Sequence, residues 1–343
     1  VVHIIRKKTR TPGVRINDEK QLLSTLAASV LLLSTSVVQA QDAPSRTECI
    51  APAKPGGGFD LTCKLIQVSL LETKAIEKPM RVTYMPGGVG AVAYNAIVAQ
   101  RPAEAGTVVA FSGGSLLNLS QGKFGRYGVD DVRWLATVGT DYGMIAVRAD
   151  SPWKSLKDLL TAMEKDPNSV VIGAGASIGS QDWMKAALLA QQAKVDPHKM
   201  RYVAFEGGGE PVTALMGNHV QAVSGDLSEM VPYLSGDKIR VLAVFSENRL
   251  PGQLANVPTA KEQGYNLVWP IIRGFFVGPK VTDAEYQWWV DAFNKLQQTE
   301  EFKKQRDLRG LFEFNLTGKP LDEYVKKQVN DYREQAKAFG LAK

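Results

Sequence analysis

A chain of 343 residues, 44% apolar and 22% charged, has the composition of a soluble globular protein and the length for two ordinary domains. Its formal charge of +6 is uneven, because residues 1–40 hold six Lys/Arg and two Asp/Glu, leaving 35 basic and 33 acidic residues in 41–343. That balance excludes a basic nucleic-acid footprint on the body.

Residues 22–38 are apolar with Ser, Thr and Ala interspersed, follow Lys20 and run to Val38-Gln39-Ala40. The pattern is that of a secretory signal peptide cleaved after Ala40, and it predicts export to the periplasm. A membrane anchor is the alternative, but it needs a longer and more apolar run. Export makes Cys49 and Cys63, the only cysteines, informative. An even count in an oxidising compartment points to a bridge that ties the ends of the loop between them, worth about 3 kcal/mol. Two buried thiols are the other option.

Cys49-Ile50-Ala51 reads as a strand end, and Pro55-Gly56-Gly57-Gly58-Phe59-Asp60 follows it. Leu61, Leu65 and Val68 then share one helix face, with Asp60 at the N-cap position. Glycines between a strand and a helix let backbone N–H groups approach a ligand, and the helix start adds unpaired donors and a positive dipole end. Such a loop can seat a carboxylate or phosphate. It can also be a tight turn with no ligand.

Repetition favours a ligand. A strand over 81–85 leads into Pro86-Gly87-Gly88-Val89-Gly90 and a helix over 91–98. Thr107-Val108-Val109-Ala110-Phe111 ends in Ser112-Gly113-Gly114-Ser115. Residues 134–138 and 144–147 read as two strands, and Ser151-Pro152 opens a helix through Met163. Val170-Val171-Ile172 leads into the loop from Gly173 to Ser180, and a helix follows from Asp182 through Ala193. The strand 201–205 ends in Glu206-Gly207-Gly208-Gly209. Pro211 opens the next helix and Gly217 stops it. Residues 220–223 form a strand into Ser224-Gly225-Asp226. Strands over 239–245 and 275–277, a short helix from Val257-Pro258-Thr259 and helices near 283–297 and 321–338 complete the chain.

Alternating strands and helices predict an α/β fold with mostly parallel sheets. The glycine loops sit at strand C-terminal ends, where such sheets bind ligands. They fall in two sets, before about residue 120 and after about residue 172, so two domains facing across a cleft would bring the sets together. Gly88, Ser115 and Asp226 are candidate site residues on this ground.

Gly175-Ala176-Ser177-Ile178-Gly179 also fits the Gly-x-Ser-x-Gly elbow of a secreted α/β serine hydrolase using Ser177. That chemistry needs a histidine base, and the body has only His198 and His219, neither late in the chain. Gly88-Val89-Gly90-Ala91-Val92-Ala93 fits a dinucleotide fingerprint, yet no Asp or Glu ends the following strand. No His/Cys cluster has metal-ligand spacing, so no metal or cofactor is expected. Trp288-Trp289 beside Phe293 reads as a helix packing face.

Across nearly all of 41–343 the sequence resembles the extracytoplasmic solute-binding proteins of the tripartite tricarboxylate transporter family. The resemblance rests on the run Ala51 to Asp60 and on Pro86-Gly87-Gly88-Val89-Gly90. It also rests on Val203 to Gly208, Leu242-Ala243-Val244 before Arg249, and Val257-Pro258-Thr259 with Glu262 and Gly264. The run Phe59-Asp60-Leu61-Thr62-Cys63-Lys64 is similar to the branch that binds citrate and related tricarboxylates. The resemblance implies a two-domain periplasmic binding protein of the Venus-flytrap, type II-like class. Each domain is a mixed, mainly parallel sheet flanked by helices, and the chain crosses twice. Domain 1 would comprise 41–145 and 246–343, and domain 2 would comprise 146–245. It implies no enzymatic activity. The protein would be a monomer that captures a small carboxylate, citrate-like, and delivers it to the large and small integral membrane components of the transporter.

Carried onto this chain, the ligand positions are Gly57, Gly58, Phe59 and Asp60 from domain 1. From domain 2 they are Gly175, Ala176, Ser177, Ser180, Phe205, Gly207 and Gly208. Arg273 stands where many members have an aromatic residue. It would be an extra charge partner for a tricarboxylate or else a surface arginine.

Overall fold

Strand β1 (Glu48–Ala51) is buried along its whole length and pairs in parallel with β2 (Arg81–Tyr84) on one side and β3 (Thr107–Ser112) on the other. This computed structural model describes residues 44–236 and 238–342. The expected signal peptide and its cleavage site lie outside the described residues.

After β1 the chain turns through the glycines into α1 (Gly58–Glu72), capped by Gly57 rather than Asp60. Asp60 stands in the first turn, where its carboxylate accepts the Gly56 N–H at 2.8 Å and pairs with Lys64. Cys63, one turn further on, is disulfide-bonded to Cys49 with the Cα atoms 5.7 Å apart. Helices α2 (Ala91–Gln100) and α3 (Gly113–Ser120) follow β2 and β3.

Strand β4 (Arg133–Arg148) is a single strand where two had been expected. The polar Thr140-Asp141-Tyr142 stretch reads as a break in the sequence. It stays extended because β9 (Pro270–Val277) pairs with it as far as Tyr142. The second half of β4 pairs antiparallel with β7 (Ala222–Asp226) and β8 (Ile239–Val244). Strand β5 (Val171–Gly175) lies parallel to both β7 and β6 (Arg201–Phe205). The order is β2-β1-β3-β9-β4-β7-β5-β6, with β8 on the far side of β4. Thus β4 belongs to both halves of the sheet, and the segment between β8 and β9 returns the chain to the first half.

The second half carries α4 (Leu156–Lys165), α5 (Gln181–Gln192), α6 (Gly209–Met216) and α7 (Leu227–Leu234). Local chemistry fixes their starts. Ser155 with Asp158 and Asp226 with Glu229 form capping boxes, and Ser180 caps α5. Helices α8 (Asp283–Gln297), α9 (Glu300–Leu308) and α10 (Gly318–Ala338) close the chain. The charged α9 carries no periodic apolar signal and was not anticipated. Its anchor is Phe302, fully buried in the cluster that also holds Trp289 and Phe293. Among the described residues no helix is long and apolar enough to cross a membrane.

Candidate ligand cavity

A cavity of about 390 Å³ lies at the C-terminal ends of β1, β3, β5, β6 and β7. Its wall includes Gly58, Phe59 and Gly88 from the first half, with Gly175, Ala176, Ser177 and Ser180 from the second. Phe205, Gly207, Gly208, Asp226 and Arg273 also line it. Three predicted positions do not. Gly57 caps α1 and lies against the 208–209 turn. Asp60 points back to Gly56 and accepts the Tyr84 hydroxyl at 2.8 Å. Ser115 is buried, and its hydroxyl accepts the Ser112 N–H to complete the cap of α3.

The loops of the two halves touch. A Cβ on Gly209 would lie 2.9 Å from the Gly56 carbonyl, and one on Gly57 would lie 3.2 Å from the Gly208 nitrogen. Glycine is required there by close backbone approach rather than by turn geometry. At the rim, Lys54 pairs with Glu210 at 2.8 Å. Two wall residues hold strained backbone. Val89 and Ala176 have φ of 53° and 70°, a region costly for a side chain and above all for a β-branched one. The Ala176 turn is held by its N–H to Phe205 O at 2.7 Å and by the Tyr202 hydroxyl on its carbonyl at 2.8 Å.

Arg273 is no surface residue. It is 2% exposed, and its Nη2 lies 2.7 Å from Asp141 and 2.8 Å from Asp226. Lys185, fully buried on α5, binds Asp226 at 2.9 Å and Asp182 at 2.8 Å. Burial pushes Asp226 up, but Lys185 and Arg273 outweigh it and hold its carboxyl below the ordinary value. Burial raises Asp182 to about 6, with Lys185 opposing and Asp226 adding. Glu229 has no cation of its own. Its Oε1 accepts the Gly58 N–H at 3.0 Å, and burial with the nearby Asp226 and Asp182 pushes its carboxyl up to about 8. The α1 N-terminus, expected to face a ligand anion, therefore donates to a side chain of α7.

Glu229, Asp182, Gln181 and Asn118 all line the cavity, and the sequence reading gave none of them as a site residue. The Asp226-Leu227-Ser228-Glu229 capping-box spacing and the Asp182/Lys185 spacing on α5 were the available signals. Neither His198 nor His219 lines the cavity, so Ser177 has no histidine base there. Among the described residues no group of three or more His, Cys, Asp or Glu has the geometry of a metal site.

The profile of the tripartite tricarboxylate transporter family receptors matches residues 67–341. A Cupriavidus necator protein described as "UPF0065 protein in gbd 5'region" is 25% identical over 217 residues, 63% of this chain. The chain spans 64% of the length of that relative. The solved structure of MatC from Rhodopseudomonas palustris with bound malate superposes with a TM-score of 0.73 at 20% identity, covering 84% of this chain and 98% of its own. An R. palustris protein with adipate gives 0.75 at 17% identity, covering 88% and 99%. Periplasmic binding proteins share the fold, α/β with two domains built on mixed sheets flanked by helices. The match over 67–341 identifies the chain as a member of the tripartite tricarboxylate transporter receptor family, a family of periplasmic solute-binding receptors.

Proposed function

We propose that this protein is a periplasmic receptor that captures a small carboxylate and hands it to the membrane components of a tripartite tricarboxylate transporter. The observation that carries this reading is the cavity itself, about 390 Å³ at the strand ends and walled by glycine turns of both halves. That volume suits a small molecule of a few carboxylates. The ligand's carboxylate is held by backbone N–H groups and hydroxyls, with Ser177, Ser180 and the turns 175–180 and 207–208 as its seat. The two halves correspond to domains 41–145 with 246–343 and 146–245. They hinge on β4 and on the segment between β8 and β9. The receptor acts as a monomer after export and does no chemistry on its ligand.

Two ligand classes have specific support. The run Phe59 to Lys64 favours citrate or a similar tricarboxylate. The malate and adipate held by the two R. palustris proteins favour a dicarboxylate. A thermal-shift panel of citrate, malate, succinate and adipate against neutral sugars tests the reading. At saturating ligand a carboxylate should raise the melting temperature by several degrees, since ligand at about a hundredfold over Kd adds about 2.7 kcal/mol. Stabilisation by sugars alone would refute it.

A further inference from the structure

Side chains of one half reach across the seam to the other. The Gly58 N–H of α1 donates to Glu229 Oε1 of α7 at 3.0 Å, and the Gln121 Nε2 donates to the Gly179 carbonyl at 2.9 Å. Lys54 pairs with Glu210 at the rim, an exposed pair that contributes little. The Gly58 contact is different because it is buried. Gly58 is the first residue of α1, so its N–H has no partner within the helix and depends on Glu229.

Glu229 is the acid with the fewest counter-charges. Asp141, Asp182, Asp226 and Glu229 are all buried, and two cations serve this cluster among the described residues. Arg273 of β9 is held by Asp141 of β4 and by Asp226 at the start of α7. Lys185 of α5 is held by Asp182 of the same helix and by Asp226. Glu229 is left with backbone donors, the Gly58 N–H and, at 3.4 Å, the Asp226 N–H of its own capping box. Asp226, Asp182 and Asp141 oppose its charge and Arg273 favours it. Glu206 and Glu210, around the start of α6, add two more acids to the same wall. Part of the cover over this carboxyl comes from the first half. A Cβ on Gly57 would lie 3.7 Å from the Glu229 Oε1, so parting the halves lifts the Gly57–Gly58 turn away and admits water.

We propose that Glu229 is a proton-dependent latch between the halves: closure buries its carboxyl under the Gly57–Gly58 turn and takes up one proton from solvent, and opening releases that proton. This rests on the hinge between the halves proposed above. Burial is the largest cause that pushes the Glu229 carboxyl up to about 8, and burial is what opening undoes. A group raised in the closed form supports closure at low pH, and that support is lost as pH rises through about 8. The rim pair and the Gln121 contact involve no group that titrates near that value.

Hydrogen exchange of the Gly58 amide, followed by NMR on the ligand-free protein, reads the opening directly. Leu65, buried in the interior of α1, is the reference. After division by intrinsic rates, Gly58 should be protected at least about tenfold less than Leu65, because parting the halves leaves α1 intact. Release of one proton from a group near 8 should lower the Gly58 protection by about tenfold between about pH 7 and pH 9. In Glu229→Gln the amide oxygen still accepts the Gly58 N–H, and the change over that range should be below about twofold. A fall of less than about threefold in the wild-type protein overturns the latch and leaves the hinge standing, and so does an undiminished fall in Glu229→Gln. Gly58 exchanging no faster than Leu65 at every pH would mean that the halves do not part, and overturns the hinge and the latch together.

Discussion

Replacing Arg273 by Met removes the cation shared by Asp141 and Asp226 while keeping an unbranched side chain in its place. Asp141 is fully buried and would keep the Ser228 hydroxyl at 2.6 Å and the Tyr142 N–H at 2.8 Å. Asp226 would keep Lys185 at 2.9 Å. Breaking a buried ion pair by removing one partner costs about 3–5 kcal/mol. The surviving hydrogen bonds place this case near the lower end, at about 3 kcal/mol. For a body of this size that is a fall in melting temperature on the order of 6–12 °C. Urea unfolding followed by tryptophan fluorescence measures the loss. The double variant Arg273→Met with Asp141→Asn should recover about half of it, because the amide is neutral and can still meet the Ser228 hydroxyl. A loss under about 1 kcal/mol for Arg273→Met, or no recovery in the double variant, would show that Arg273 is not the counter-charge that holds this cluster.

Glu229 and Asp182 make stability depend on pH. Their folded values of about 8 and about 6 lie above the ordinary 4.5 and 3.8, so the native protein holds protons that the unfolded chain has lost. Their contribution is complete below the unfolded values and is lost as pH rises through 6 and then 8, by roughly 3 kcal/mol for Glu229 between about pH 5 and pH 8. Urea midpoints should therefore fall over that range and fall less in Glu229→Gln; parallel curves contradict the assignment. Gly208→Ala would place a Cβ 1.9 Å from the Glu229 Oε1 and should weaken ligand binding by about tenfold or more, whereas Lys54→Ala should change it less than about threefold. Denatured, unreduced protein should release no thiol from Cys49 and Cys63, and Cys63→Ala should lower stability by about 3 kcal/mol.

The strand–glycine–helix units were legible because their signals are local. β-branched runs, Gly turns and a 3.6-residue apolar spacing each need only a short window. The buried charges were not, because their meaning is tertiary. Asp141 interrupts an apolar run and reads as a turn until Arg273, 132 residues away, is seen opposite it. Arg273 in turn reads either as a charge partner for the ligand or as a surface residue until Asp226 and Asp141 close around it. Glu229 is explained locally as one half of a capping box. Only the fold brings its second oxygen to Gly58, 171 residues away. The wall of the cavity was therefore largely readable as backbone, whereas of its charged groups only Arg273 and Asp226 were given as site residues, and their pairing was not readable.

Equilibrium dialysis of the purified body against a labelled small carboxylate, with the ligand recovered and identified afterwards, tests the central claim most directly. Capture without chemistry predicts one ligand per chain, saturable and displaced by other carboxylates but not by sugars, and recovered unaltered. No saturable carboxylate binding, or recovery of a converted product in an amount that grows with time, would contradict it.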